Sequence, residues 1–249
     1  MARIFGRPGG NTPRIDKDKI GEFFLRRAQK SNIVGPLSTV IYQDHDPDMA
    51  IRRDQAEKNC LLKKLDLAPD MRVIDLGCGN GRWTGTILNA GCSYVGADQS
   101  SELVSLARRA FPPDTSARFV TCPIEQTNLA ALGESRSFDR VLCFGVLIYL
   151  NDEDVIKVAN ILPKLASVSS KILLREPVGI SDRLTLQNHH STEMDQTYNA
   201  VYRTEDELLG IFLPRLISAG FSFSGSGDIY QGELNNRAET KQRWMVFER

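Results

Sequence analysis

The chain lacks a surplus of charge of either sign. Its Lys and Arg number 31 and its Asp and Glu number 31, so the formal net charge is zero. A protein that lives on nucleic-acid phosphates usually carries a basic excess or stripe, and its absence speaks against an RNA or DNA partner. Long apolar runs are missing as well. No stretch approaches the roughly 18 residues of a membrane-spanning helix, and "MARIFGRPGGNTPRIDKDK" holds no hydrophobic core of the signal-peptide kind. A cytoplasmic protein with no membrane partner is therefore the expectation. Cysteines are few and unpatterned. The five, at 60, 78, 92, 122 and 143, are odd in number and contain no Cys-x-x-Cys pair, which reads as buried thiols in a reducing compartment. Of the three histidines, His45 lies among acids in "QDHDPDM". Acids in such a polar stretch read as a solvated turn, and no metal is expected.

What remains is an ordinary globular composition, 41% hydrophobic and 25% charged over 249 residues, long enough to bury a sizeable core. Residues 1–16, rich in Gly, Pro and Arg, read as a flexible tail. "DKDKIGEFFLRRAQK" then sets Ile20, Phe23, Phe24 and Ala28 on one helical face, and "DMAIRRDQAEKNCLLKKLDL" reads as a second helix. From residue 72 short Val/Ile/Leu-rich runs alternate with helical patterns. Strands are expected at 72–77, 94–99, 117–122, 138–145 and 171–177. Helices are expected at 81–90, 100–111, about 124–132, 152–167 and 204–219, with Asn151 or Asp152 capping the fourth and Pro163 kinking or ending it.

Such alternation means βαβ units and a parallel sheet covered on both faces. "GFSFSGSGDIY" and "KQRWMVFER" have no helix between them and suggest an antiparallel hairpin at one edge. The expected fold is α/β: a seven-stranded, mostly parallel, doubly wound sheet with that C-terminal edge hairpin. Residues 1–66 would form an N-terminal tail and helical cap and 67–249 a Rossmann-like domain, with a lid insertion after the fifth strand at 177–203.

The stretch "VIDLGCGNGRW", residues 73–83, places Gly77, Gly79 and Gly81 at alternate positions directly after a buried strand. In a doubly wound sheet ligands bind beyond the carboxyl ends of the strands, and missing Cβ atoms let a ligand approach the backbone there. The rhythm is not the G-x-G-x-x-G of dinucleotide sites, and no G-K-[ST] is present for a phosphate loop. Asp75, two places ahead of the first glycine, would repel a pyrophosphate and suit a cationic ligand.

These residues resemble the first motif of class I S-adenosyl-L-methionine-dependent methyltransferases. Asp98 in "YVGADQSSELVSLA" and the segment "FDRVLCFGVLIYL" are similar to the family's second- and fourth-strand features. The resemblance covers roughly residues 55–175 and implies S-adenosyl-L-methionine as cofactor. It implies that Asp75, Gly77 and Gly79 face the methionine part, Asp98 holds the ribose and Gln99 lies beside the adenine. Ile124 and Glu125 would pack on and edge the adenine, and Phe144 and Gly145 would line the floor near the sulfonium. Many relatives carry an acid where this chain has Pro123, and Glu125 is the substitute. Tyr42 could reach the cofactor carboxylate from the cap.

The residues after the fourth strand narrow the acceptor. The Asn/Asp-Pro-Pro-aromatic loop of base N-methylation is replaced by Cys143-Phe144-Gly145-Val146, and the Pro-Cys pair of cytosine C5 enzymes is absent. Phe144 cannot ligate the metal of catechol-type enzymes. The segment "REPVGISDRLTLQNHHSTEMDQTYNAVYRT" is long for a bare connection and dense in chemistry. Glu176 would leave the strand facing the site, and His189 or His190 could serve as a base on a hydroxyl. The reading is methyl transfer to an O or N atom of a polar small molecule, a sugar or biosynthetic intermediate, with the oligomeric state open. The alternatives are a protein or peptide acceptor, or a catalytically inactive cofactor-binding regulatory module.

Overall fold

The computed structural model describes residues 2–6, 13–113 and 115–249. In chain order the elements are β1 (Ala2–Gly6), α1 (Lys17–Val34), α2 (Pro36–Ile41), α3 (Pro47–Leu65), β2 (Arg72–Leu76), α4 (Thr84–Asn89), β3 (Ser93–Asp98), α5 (Ser101–Ala110) and β4 (Ala117–Thr121). The remainder are β5 (Phe138–Phe144), α6 (Asp152–Leu165), β6 (Ala166–Gly179), β7 (Arg183–Ser191), β8 (Gln196–Tyr202), α7 (Glu205–Ser218), β9 (Ser222–Asp228) and β10 (Thr240–Glu248).

Seven strands form one sheet in the order β4-β3-β2-β5-β6-β10-β9. The first five run parallel, and β10 pairs antiparallel with both β6 and β9. The alternation of side chains along each strand splits the core into two layers. Ile74, Cys143 and Leu174 face α6 and α7, packing with Val155, Val158, Leu208 and Phe212. Their neighbours Val73, Leu142 and Leu173 face α3, α4 and α5, with Leu61, Ile87 and Val104. The order reverses between β2 and β5, which is where a doubly wound sheet opens a ligand crevice.

Local signals explain most helix boundaries. Asp16 accepts the amides of Asp18 and Lys19 at the start of α1, Asp46 accepts that of Met49, and Ser100 that of Leu103. Thr204 and Glu207 close a capping box on α7. Asn151 occupies the N-cap of α6 but makes no cap bond. Its side-chain amide instead pairs with both backbone groups of Ile15, at 2.9 and 3.0 Å, and pins the start of the N-terminal helices to the sheet. Pro163 lies in the last turn of α6, which ends two residues later; it cannot donate to the carbonyl four residues back, and the helix stops there.

Three expectations need correction. Residues 2–6 of the supposed flexible tail form a strand paired antiparallel with β7, while 7–12 lie outside the described residues. The helix expected at 124–132 is a single 3-10 turn, Ile124–Gln126, and the chain then runs on in turns. The segment after the fifth parallel strand is no loop: β7 and β8 make a hairpin that joins β1 in a second, three-stranded antiparallel sheet, β1-β7-β8. Leu184, Leu186 and Ala200 share one face, and Thr185 and Val201 on the other face are buried too, so no alternation of apolar and polar residues marks these strands in "RLTLQNHH" and "QTYNAVY".

Candidate active site

The floor begins where β2 ends. Gly77 takes φ of +78°, and a Cβ there would lie 2.1 Å from Val146 Cγ2, so only glycine fits both the turn and its neighbour. The amides of Gly77 and Cys78 donate to Ala97 O at 2.7 and 3.1 Å, locking the turn onto β3. Asp98 ends β3 and accepts two backbone amides, Gly79 N on Oδ2 and Ser100 N on Oδ1, each at 2.9 Å. Burial raises its carboxyl above the ordinary aspartate value and those two donors pull it back only in part. Asp75 is buried and accepts the Tyr94 hydroxyl at 2.7 Å. Burial pushes it up to about 6, against the pull of Tyr94 and Arg82.

Above this floor lies a cavity of about 280 Å³. Tyr42, Asp75, Gly77, Gly79, Asp98 and Gln99 all line it, as do Ile124, Phe144, Gly145 and His189. The roof comes from α1 and α2 through Phe24, Val40 and Tyr42, and from the β7–β8 hairpin through Leu184, Leu186, Tyr198 and Tyr202. The Tyr42 amide donates to Ser38 O at 2.9 Å and its hydroxyl accepts from Tyr149 at 3.2 Å; burial pushes the hydroxyl up to about 12. His189 stands edge-on to Tyr198 with ring centres 5.6 Å apart. Burial and the charges of Arg3 and Arg237 lower its imidazole below the ordinary value.

Three residues expected at the site lie off the cavity. Glu125 sits beside Ile124 but pairs with Lys17 at 3.0 Å. His190 points to the other face of β7, where its Nε2 is 3.7 Å from Asp195. Glu176 is fully buried beneath the floor. Its Oε1 accepts the amides of Val146 and Leu147 at 2.9 and 3.1 Å, and Oε2 has no partner. Burial carries this carboxyl up to about 7, outweighing its two amide donors and the nearby Arg175 and Arg203. It holds the turn after β5 in shape.

The sequence reading missed a charged cluster on the cavity's far wall. Glu57, fully buried on α3, ion-pairs with both Arg82 and Arg175 and accepts the Tyr230 hydroxyl at 3.2 Å. Burial alone would raise Glu57, but the two guanidiniums hold it at about 2. Arg175 is the last β6 residue before Glu176, and its Nη1 lies 3.0 Å from where a Cβ on Gly145 would be. Residues 235–242 ahead of and into β10 complete the wall, with Arg237, Glu239 and Lys241. The one available signal was period: Arg175 and Glu176 are neighbours on a strand, so only one of them could face each layer.

A crevice at the reversal of strand order, an Asp-x-Gly-x-Gly-x-Gly turn and an aspartate closing the next strand are the arrangement found in methyltransferase domains of the class I fold. Residues 73–165 match the family model described as a methyltransferase domain. Over 112 residues the chain is 30% identical to the magnesium-protoporphyrin O-methyltransferase of Rhodobacter capsulatus; the match covers 45% of this chain and 48% of that enzyme, about half its length. Among solved structures, magnesium protoporphyrin IX methyltransferase from Synechocystis PCC 6803 with bound SAM is similar at a TM-score of 0.61. It is 20% identical, over 96% of this chain and 100% of the other. A SAM-dependent methyltransferase from Leishmania major reaches 0.64 at 15% identity, over 100% and 97% of the two chains. The likeness to the solved structures lies in the fold.

Proposed function

We propose that this chain transfers the methyl group of S-adenosyl-L-methionine to an oxygen or nitrogen atom of a polar small molecule. The observation that carries the reading is the cradle at Gly77. It combines a left-handed backbone and the absent Cβ that Val146 would exclude with Asp98 fixed by two amides. Such a cradle fits a nucleoside whose ribose hydroxyls donate to Asp98, with Gln99 and Ile124 flanking the adenine and Asp75, Gly77 and Gly79 along the methionine part. Phe144 and Gly145 then lie under the reacting centre. When bound, the cofactor supplies an electrophilic methyl on a sulfonium; the protein's part is to hold the acceptor in line and keep water out.

The roof of Phe24, Tyr42, Tyr149, Tyr198 and Tyr202 does the second task and leaves an enclosed volume suited to a small molecule. The named activity of the Rhodobacter capsulatus relative supports a small-molecule acceptor. An acceptor hydroxyl would need a base, and His189 is the imidazole on the wall; a neutral amine or an oxyanion would need none. Calorimetric titration with S-adenosylmethionine, S-adenosylhomocysteine and NAD tests the cofactor. Binding of the two adenosyl ligands and not NAD is expected. Failure of both to bind the wild-type protein would overturn the reading, and slow transfer of label to water alone would mark an inactive module.

A further inference from the structure

The walls of the cavity are unequal in charge. On the cofactor side Asp75 and Asp98 are the lining carboxylates, and the lining cation there, Arg82, is paired with Asp54 and Glu57. On the opposite side, around the ends of β6 and β10, the lining charges are Arg53, Arg175, Arg237, Lys241 and the ion pair of Arg3 with Glu239. Some of these cations are neutralised and some are not. Lys241 reaches Asp228 at 3.3 Å, and Arg53 is held by Leu234 O at 2.8 Å and Asn236 Oδ1 at 2.5 Å, with no carboxylate within ion-pair distance among the described residues. Arg237 has no ion pair or hydrogen bond among the described residues, and its charge is felt by His189, Tyr202 and Arg53.

Arg175 is the most informative. One Nη donates to Glu57 and Tyr230. Its Nε is buried without a partner, and its other Nη sits against Gly145, 3.0 Å from where a Cβ would be, in the room that the missing side chain gives it. A guanidinium presents a planar fork that suits an oxyanion. It stands two strands from the Gly77 turn in the sheet order, across β5, on the side away from the nucleoside.

We infer that the acceptor is an anionic small molecule methylated on an oxyanion, with Arg175 anchoring the reacting group and Arg237 closing over it at the cavity mouth. This rests on the cofactor reading, and it deepens it by naming the acceptor's chemistry. The charge balance explains why. The bound cofactor's sulfonium would face across the cavity a wall that holds Arg53 and Arg237 without ion pairs among the described residues and Arg175 paired to Glu57; an anion placed between the sulfonium and that wall is stabilised by both. The chemistry also closes without a base. The oxyanion supplies the electron pair of the new O–CH₃ bond, the S–CH₃ bond breaks with its pair left on sulfur, and no proton has to leave. That agrees with a cavity whose tyrosine hydroxyls are held protonated by burial, Tyr42 at about 12 and Tyr149 and Tyr202 well above the ordinary value. Carboxylates and phosphonates share this chemistry.

The test uses binding, on the full chain, free and loaded with S-adenosylhomocysteine. Carbon-13 acetate and methylphosphonate are titrated by NMR against the neutral isostere acetamide, in buffer free of competing anions. Both or either anion binding in the millimolar range, at least tenfold tighter than acetamide, is expected, and which of the two binds better assigns the source. Arg175→Met and, because that change strands buried Glu57, the milder Arg237→Met should each weaken the anion at least fivefold while leaving S-adenosylhomocysteine affinity within twofold. Equal binding of acetamide, no anion binding up to 50 mM, or undiminished anion binding in both variants would overturn the inference. So would a tenfold loss of S-adenosylhomocysteine affinity in a folded Arg175→Met with the anion unaffected, because Arg175 would then serve the cofactor's own carboxylate. The cofactor titration is run first on wild type, so failure of the cofactor reading shows there and not in the anion arm.

Discussion

The Asp98 carboxylate accepts the Gly79 amide across 2.9 Å, tying the end of one parallel strand to the glycine turn at the end of its neighbour. A single side chain therefore both shapes the turn and offers its remaining lone pairs to a ligand. Asp98→Ala should weaken S-adenosylhomocysteine roughly 100-fold, the order expected for losing two hydrogen bonds to a charged acceptor. Calorimetry checks it, with circular dichroism to confirm the fold; affinity within threefold of wild type would refute the role.

Gly77→Ala should be costly in stability as well as binding. The added methyl meets Val146 and must adopt a left-handed φ, a strain on the order of 1–3 kcal/mol, which for a domain of this size lowers Tm by roughly 5 °C. Adding Val146→Ala removes the clash but not the backbone strain. The double variant should recover part of the Tm loss and not all of it, and differential scanning calorimetry reads both.

Glu176 predicts a pH dependence whose sign can be worked out. Its folded value of about 7 lies above the ordinary glutamate value of 4.5. Between those pH values the folded state holds a proton that the unfolded chain has released. Stability from this group is thus full below about pH 4.5 and falls as pH rises through 7, by roughly 3 kcal/mol across the window. Glu176→Gln, which cannot ionise, should lose less stability than wild type between pH 5 and 7.5. Denaturation curves that run parallel for the two proteins across that range would rule this out.

The two adjacent histidines should separate in kinetics. His189 lines the cavity and His190 lies on the other face of β7. His190→Ala should leave kcat and KM within twofold of wild type. His189→Ala should raise KM for the acceptor several-fold with little change in kcat if it only contacts an anion, whereas a fall in kcat with a lost acidic limb in the pH profile would mark it as a base.

Much of this architecture was legible because its signals are local. The glycine turn, the capping residues and the one-face helices each span a few residues, and the strands from β2 to β6 read as buried runs bounded by turns. The second sheet was not legible. β7 and β8 turn Leu184, Leu186, His189, Tyr198 and Tyr202 to the cavity and bury the polar Arg183, Thr185, Gln196 and Asn199 as well, so their composition resembles that of a loop, and β1 becomes a strand only through its distant partner. The site divides the same way. Residues on the turn and at strand ends are placed by sequence position, while Arg82, Arg175 and Tyr230 meet only because Glu57 on α3 gathers them. Nothing in the stretch around Glu57 announces that.

The three-stranded roof has a kinetic meaning. The floor is assembled from neighbouring βα units, whereas β1 must find β7 from the opposite end of the sequence, as the Arg3–Glu239 pair, 236 positions apart, also must. Contacts that far apart carry a large loop-closure cost, and an edge strand with few buried apolar contacts opens more readily than a central one. Amide exchange should accordingly be fastest in β1, intermediate in the β7–β8 hairpin and slowest in β2 and β5. With that order of exchange, the chamber would admit and release small molecules by brief detachment of its cover, the nucleoside cradle staying folded throughout.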